Sequence, residues 1–358
     1  MMKQDTVRFF DKGAFAMMLL LALAGILLIY SAGHSTGETH YLKQVAWLGV
    51  SLLAFFAVFS FKSEFVFRNA LAAYLVLLAV LALQIVVGAT VARTRSWFRL
   101  GGIGLQFSEF VKVPLAACLA KLLAQAESLD PRAFLRTLAL IFAPVALIIL
   151  QPDMGVSFIL CGFVPLVLLL KKARPALLLA LALLLAGGAF LGWHGLLKPY
   201  QKERIVSFLD PVRYKDSSGY HIIQSRIAVG SGGLTGKGFM QGSQSRYQFL
   251  PARHTDFIIS VIGEEFGFLG VSLLFFIFFV LFYRHLRFNF QNDEEFYFVY
   301  LFNGLILFQF LVNVSMAIGL FPVLGITLPF VSYGGSSLLS LFIGEAVIFR
   351  IKINEYLT

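Results

Sequence analysis

The sequence predicts an all-α polytopic membrane protein with about ten transmembrane helices. Hydrophobic residues make up 59% of the 358 positions and charged residues only 13%, against roughly 25% charged residues in an ordinary soluble domain. Apolar runs of roughly 20 residues, the length that crosses a bilayer, recur from one end of the chain to the other. We therefore expect residues 1–358 to form a single transmembrane domain.

Ten segments have the length and hydropathy of a membrane helix. They cover residues 13–32, 43–61, 65–88, 108–125, 133–150, 154–171, 174–193, 256–284, 296–320 and 329–350. No small-residue cleavage site follows the first run, so we expect a retained helix and not a signal peptide. An even number of spans places both chain ends on one side of the membrane.

Lysine and arginine predict which side that is. The connections assigned to the cytoplasm carry most of the basic residues of the short loops, whereas the opposite turns at 151–153 and 321–328 carry none. Short loops rich in lysine and arginine stay cytoplasmic. The pattern predicts cytoplasmic N- and C-termini.

Two connections on the other side of the membrane are long and basic. The first, residues 89–107, contains Arg93, Arg95 and Arg99, and the second is a large extracytoplasmic loop between helices 7 and 8, residues 194–255. Long loops cross the membrane regardless of their charge. Their basicity indicates either attraction to anionic lipid headgroups or a site for an anionic substrate. Nucleic acid is not expected at a surface reached only from outside the membrane.

One acid, Asp256, lies where the glycine-rich loop enters the eighth apolar segment. An acid at a helix start can be a cap that interacts with the helix dipole. Alternatively, a carboxylate in a half-dry position has a raised pKa and can serve as a general base. His254 precedes Asp256, and Glu264 and Glu265 follow two turns later, where structural hydrogen bonding is favoured over catalysis.

Two further polar features lie among apolar residues. Glu109 and Lys112 share a face of the fourth segment because they are three residues apart. Such a pair either locks helices together or supports a polar cavity. Residues 321–337 contain two prolines and a serine-rich and glycine-rich run that includes Ser332. Irregular backbone at membrane depth needs hydrogen-bond partners for its polar groups, either from surrounding protein or from a water-filled cavity. Close packing of helices through small residues is the alternative explanation of this run.

Other motifs exclude other classes of protein. Residues 232–238 lack the spacing and the Ser/Thr of a nucleotide-binding loop. Cys118 and Cys161 both lie mid-span and imply no disulfide or metal framework. The six histidines have no metal-ligand spacing, so the sequence identifies no metal ligands.

Several runs together resemble the SEDS family, and its rod-shape branch in particular. These are Gly101 with Ser108, Glu109 and Lys112; Gln151 to Gly155; Tyr220 to Ser225; Gly230 to Leu234 with Gly236 to Gly238; Phe249 to Pro251 with His254 to Phe257; Gly263 to Glu265; and Leu328 to Ser337. The resemblance covers essentially the whole chain. It departs at Phe107, where the family usually has Pro, at Ala252, where Glu is common, and at Arg95, which is offset from Trp97 by one extra residue.

The resemblance implies a peptidoglycan glycosyltransferase of the bacterial cytoplasmic (inner) membrane that polymerises lipid II during cell elongation. It also implies a class B penicillin-binding transpeptidase as partner, alongside other membrane proteins of the elongation machinery. In that reaction a sugar hydroxyl attacks an anomeric carbon next to a pyrophosphate, so a base must accept the hydroxyl proton. Asp256 is the candidate base, and Ala252 leaves it without a second carboxylate in its own run.

The pyrophosphate leaving group gains negative charge, which cationic groups can stabilise. The expected substrate-binding residues are Arg204, Lys237, Arg246, Arg95 and Ser332, and the supporting residues are Glu109, Lys112, His254, Glu264 and Glu265. A divalent cation could share this role, and no cofactor is otherwise implied. Two alternatives stay open at this point: a flippase that moves lipid II, and a non-catalytic scaffold for the transpeptidase.

Overall fold

The computed structural model describes residues 9–35, 37–87, 89–91, 94–100, 103–287 and 289–357. The helices are α1 (Lys12–His34), α2 (His40–Phe59), α3 (Ser63–Val87), α4 (Lys112–Gln125), α5 (Pro131–Leu150), α6 (Met154–Cys161), α7 (Phe163–Leu170), α8 (Pro175–Leu191), α9 (Pro199–Leu209), α10 (Ser218–Ser231), α11 (Ser243–Arg246), α12 (Ile258–Leu286), α13 (Asp293–Ala317) and α14 (Gly335–Leu357). The strands are β1 (Ala89–Val91), β2 (Thr94–Leu100) and β3 (Ile103–Leu105).

The prediction of an all-α polytopic membrane protein is confirmed. Within the described residues, 7 helices are long and apolar enough to cross a membrane: α1, α2, α3, α5, α8 with its C-terminal turn, α12 and α13. The other three predicted spans are also helical. They correspond to α4, to the consecutive helices α6 and α7, and to α14.

Two of the predicted spans start later in the structure than predicted, and a third is interrupted. The fourth helix begins at Lys112, because Phe107–Glu109 forms a separate 3₁₀ turn. The sixth span is broken at Gly162, where a side chain would overlap the Phe308 ring. The tenth helix begins only at Gly335. Hydropathy alone misplaces these ends because it does not register such local packing.

The connection at 89–107 contains a small antiparallel sheet in the order β1-β2-β3, which the sequence reasoning did not predict. Phe98 pairs with Leu105 and Leu100 with Ile103 in the β2–β3 register. Gln84 Nε2 of α3 donates to the carbonyl of Ser96 at 3.2 Å, so the sheet is attached to the end of that helix.

The large connection between α8 and α12 is folded into α9, α10 and α11. Ser225 of α10 donates to the carbonyl of Ala317 at 2.6 Å, and its hydroxyl lies 2.7 Å from that of Ser260. These contacts bring the connection onto the ends of α12 and α13. We call this end of the bundle, formed by residues 89–91, 94–100, 103–107, 197–257 and 318–334, the loop face.

The glycine-rich residues 233–238 supply hydrogen bonds at a break in α12. Gly267 interrupts α12 with φ of 64° and ψ of −159°, a conformation that favours glycine. Residues 233–238 run alongside the break: the amides of Lys237 and Gly238 donate to the carbonyls of Glu264 and Glu265, each at 2.9 Å. Backbone from the loop thus satisfies polar groups that the interrupted helix leaves open. Gly236 lies so close to the Glu265 carbonyl that no side chain fits there.

The start of α1, the end of α12 and the C-terminal part of α14 meet at the opposite end of the bundle, around Asp11, Arg284 and Lys352, and we call this end the terminal face. Asp11 accepts hydrogen bonds from Arg284 and Lys352, each at 2.5 Å. Asp11 also caps α1 by accepting from the amide of Ala14. Burial opposes its ionisation, but the hydrogen bonds from Arg284 and Lys352 outweigh burial and lower the pKa of Asp11 to about 2.

Candidate active site

Asp256 lies in the turn that leads into α12, beside α13 and the 318–334 segment of the loop face. Its backbone carbonyl accepts from Asn313 Nδ2 of α13 at 2.9 Å, and the same amide donates to the carbonyl of Ile326 at 2.6 Å. A side chain at Gly325 would lie 3.6 Å from Asp256 Oδ2. The carboxylate makes no salt bridge with any residue that the structure describes.

The surroundings of Asp256 favour a carboxylate that can exchange a proton. The pKa of Asp256 is raised to about 6, because burial, which is the largest effect, and the charge of Asp153 outweigh a hydrogen bond from Thr255 and the charge of Arg204, which lower it. A carboxyl group with this pKa is ionised at neutral pH and is a stronger base than an ordinary aspartate. The geometry is that of an available proton acceptor.

Asp153 is a second acid at this site that sequence reasoning did not include. It caps α6 by accepting from the amide of Val156 at 3.3 Å, and it accepts from Gln106 Nε2 at 2.5 Å. Burial raises the pKa of Asp153, and the charge of Glu109 adds to the effect. The available signal was the same as for Asp256, an acid directly before an apolar helix.

Ser332 holds the Asp256 turn in place. Its hydroxyl accepts from the amide of Leu328 at 2.8 Å and donates to the carbonyl of Thr255 at 2.6 Å. The next residue, Tyr333, donates its amide to the carbonyl of His254 at 2.8 Å. Ser332 is only 4% exposed. The structure therefore gives Ser332 a supporting role, and its contact with substrate stays a prediction that these surroundings do not favour.

The predicted cationic residues occupy different places. Arg204 lies on α9, is partly exposed, and its charge reaches both Asp256 and His221. Arg246 ends α11 and lines a cavity of about 590 Å³. Arg95 lies on β2, and its side chain is outside the described part of the structure. Of these three, Arg204 has an electrostatic link to the candidate base.

Lys237 is paired inside the protein. Its ammonium donates to Glu264 Oε1 at 2.7 Å and to the hydroxyl of Ser243 at 3.0 Å. The amide of Gln244 donates to the same carboxylate, which is completely buried. This arrangement fastens the loop to α12, and a contact between Lys237 and pyrophosphate stays a prediction.

Glu265 differs from its neighbour. One oxygen accepts from the hydroxyl of Ser31 at 2.5 Å, whereas Oε2 has no hydrogen-bond partner among the described residues. Glu265 lines the same cavity as Arg246. This carboxylate therefore links α12 to α1 at the wall of the cavity.

Glu109 and Lys112 form a buried ion pair at 2.8 Å, with side chains 8% and 2% exposed. Lys112 also donates to Gln309 Oε1 of α13 at 2.9 Å, and Ser340 of α14 donates to the carbonyl of Glu109 at 2.7 Å. The pair therefore joins α4 to two other helices.

Among the described residues, one group has the donor atoms of a metal site, and it adjoins the Asp256 turn. It consists of Glu38, His40 and His254, whose candidate ligand atoms all lie within 4.8 Å of one another. The pKa of His254 is lowered to about 4, because burial, which is the largest effect, and the charges of His40 and Arg253 outweigh the opposing charge of Glu38. His254 is thus a neutral imidazole at pH 7.

The model of the cell cycle protein family that includes FtsW, RodA and SpoVE matches residues 12–357. The chain belongs to this family, known as SEDS. It is 36% identical over 292 residues to the peptidoglycan glycosyltransferase MrdB of Escherichia coli strain K12, which covers 79% of this chain and 78% of that protein.

Solved SEDS structures share the fold. A chain of a peptidoglycan synthase complex that coordinates polymerization and crosslinking superposes with a TM-score of 0.84 at 29% identity, and covers 98% of this chain and 99% of that one. The rod shape determining protein RodA of Thermus thermophilus gives a TM-score of 0.71 at 27% identity, and covers 97% and 98%.

Proposed function

We propose that this protein is a peptidoglycan glycosyltransferase that polymerises lipid II during cell elongation, with Asp256 as general base. The observation that carries the proposal is the state of Asp256: it lies at the loop face, makes no ion pair with a described residue, and has a pKa raised to about 6. Family membership and the glycosyltransferase activity named for the relatives support the same conclusion.

The proposed step is a displacement at an anomeric carbon. The 4-hydroxyl oxygen of one lipid II sugar forms a bond to the anomeric carbon of a second molecule, and Asp256 accepts the hydroxyl proton. The bond from that carbon to the pyrophosphate oxygen breaks, and undecaprenyl pyrophosphate leaves with the electron pair. A general base contributes about 10² to 10⁴ in rate. The charge of Arg204 acts both on Asp256 and on the departing anion.

We also propose how the protein sits in the cell. The terminal face carries Arg284 and Lys352, as expected for a cytoplasmic side, so the loop face is extracytoplasmic in a bacterial inner membrane. Residues 194–255 then form the large extracytoplasmic loop of a single transmembrane domain. The similarity to a chain of a peptidoglycan synthase complex supports a class B penicillin-binding transpeptidase as partner.

A polymerisation assay tests the activity. Purified protein with its transpeptidase partner in detergent, supplied with lipid II, is expected to release glycan strands that resolve on a gel. A scaffold would give no strands when the only glycosyltransferase present is this chain. A flippase would move labelled lipid II across vesicles without making polymer, and that result would contradict the proposal.

A further inference from the structure

We propose that Glu38, His40 and His254 form a binding site for a divalent transition-metal cation, with Zn²⁺ as the best fit. Glu38 lies in the connection between α1 and α2, His40 begins α2, and His254 lies in the turn before α12. The site joins parts of the chain more than 200 residues apart and lies two residues from Asp256.

The distances between the ligand atoms are close to those of a metal site. Glu38 Oε2 lies 3.9 Å from His40 Nε2 and 3.9 Å from His254 Nδ1. Ligands about 2.1 Å from a tetrahedral zinc ion lie about 3.4 Å from one another. The three candidate ligand atoms lie within 4.8 Å of one another, so binding requires the side chains to move inward and the two imidazole rings to rotate.

Two of these ligand atoms have no partner in the described structure. Glu38 Oε2 and His254 Nδ1 are both shielded from solvent, and neither makes a hydrogen bond to a described residue. Buried polar atoms without a partner are uncommon, because their loss of water is not compensated. The two atoms lie 3.9 Å apart, and a cation between them would satisfy both.

Neighbouring residues hold the carboxylate in the orientation that a metal needs. Arg253 Nη2 lies 3.2 Å from Glu38 Oε1, so the other oxygen, Oε2, is directed to the histidines. Arg253 is itself fixed, because its Nε donates to the carbonyl of Ala32 at 2.6 Å. Residues that orient the ligands in this way are a regular feature of protein metal sites. The positive charge of Arg253 repels a metal cation and weakens its binding, and the ion pair of Arg253 with Glu38 reduces this repulsion.

The two imidazoles are backed by an aromatic ring. His40 stacks on His254 with ring centroids 4.5 Å apart, and Tyr333 lies 4.8 Å from the His40 ring. Because an imidazole lone pair lies in the plane of its ring, binding must rotate the rings out of this stack. Two imidazoles with one carboxylate favour zinc over magnesium or calcium, which prefer oxygen ligands. The side chains are 23% to 32% exposed, so a fourth position is open to water or to an anionic ligand.

Metal binding to the purified full-length protein tests the site without lipid II, so its outcome is independent of the proposed glycosyltransferase activity. Chelator-treated protein in detergent is titrated with Zn²⁺ by calorimetry, and Co²⁺ is used as a visible-absorption probe of coordination. We expect one Zn²⁺ per chain. His40→Ala and His254→Ala should each weaken binding by at least about tenfold, and His34→Ala, at an exposed histidine that ends α1, should not.

Three results would overturn the site. They are wild-type protein that binds no Zn²⁺, His40→Ala and His254→Ala variants that bind as wild type does, and binding that disappears in His34→Ala. The thermal midpoint of each variant without metal shows whether it is folded. If a histidine variant is unfolded, Glu38→Gln keeps the side-chain shape and should show the same loss of Zn²⁺ and of the Co²⁺ spectrum.

Discussion

Glu109 and Asp256 both precede a membrane helix, but only Glu109 is paired with a cation. Glu109 is buried with Lys112 at 2.8 Å. Asp256 has no ion pair among the described residues, and burial raises its pKa to about 6. A charge matched by a cation in contact contributes to packing, whereas an unmatched carboxylate keeps its capacity to accept a proton. The contact with a cation, more than depth in the membrane, separates the two roles.

The same contrast recurs within α12. Glu264 is completely buried and accepts from Lys237, Ser243 and the amide of Gln244. Its neighbour Glu265 has one oxygen bonded to Ser31 and the other without a described partner. Glu264 is therefore a structural acid like Glu109, because both are paired with a cation.

The largest effect on stability is expected from breaking the Glu109–Lys112 pair on one side. Glu109→Ala leaves the buried ammonium of Lys112 without its carboxylate, which should cost about 3–5 kcal/mol in the free energy of unfolding. The Glu109→Ala, Lys112→Ala double variant should lose less than the single variant. Denaturation in detergent measures both. If wild type and both variants are equally stable but the variants use lipid II less well, the pair acts in substrate handling and not in packing.

The raised pKa of Asp256 predicts a pH dependence of polymerisation. The base acts only when ionised, so the rate should rise with pH through about 6 and then level off. Between pH 7.5 and pH 5 the ionised fraction falls about tenfold, and the rate should fall with it. Arg204→Gln should shift the inflection upward, because the Arg204 charge lowers this pKa. An inflection near 4, unchanged in the variant, would place Asp256 in an ordinary aqueous setting.

Smaller and different effects are expected at Lys237 and Arg204. Lys237→Gln removes the cation from a buried carboxylate and should reduce stability by about 1–3 kcal/mol. Arg204→Gln should leave stability nearly unchanged and reduce the rate with lipid II by roughly threefold to tenfold. Lys215→Gln, at an exposed position of the same connection, is the control and should change neither. Equal small losses at all three positions would indicate general attraction to lipid headgroups.

Hydropathy predicted the membrane spans, although it misplaced several of their ends, and the cost of a charge in apolar surroundings singled out Asp256 as a candidate base, which stays a prediction. Contacts between distant residues were not predictable in this way. Lys237 and Glu264 are 27 residues apart, and Arg253 and Glu38 are 215 apart. Only tertiary packing brings them together, and the break at Gly267 that admits the loop has no periodic signal. Asp153 carries the same local signal as Asp256, an acid before an apolar helix, but only the folded structure shows that its charge acts on Asp256.

The most direct test of the account is Asp256→Asn, assayed for both polymerisation and stability. The folded pKa lies above the ordinary value of 3.8, so the stabilising contribution of this group is present below that value and lost as pH rises through about 6. At pH 7 the neutral amide should therefore leave the thermal midpoint unchanged or higher. Polymerisation should fall by about 10² to 10⁴. A variant that polymerises lipid II within a few-fold of wild type, or that loses activity only because it unfolds, would contradict the assignment of Asp256 as the base.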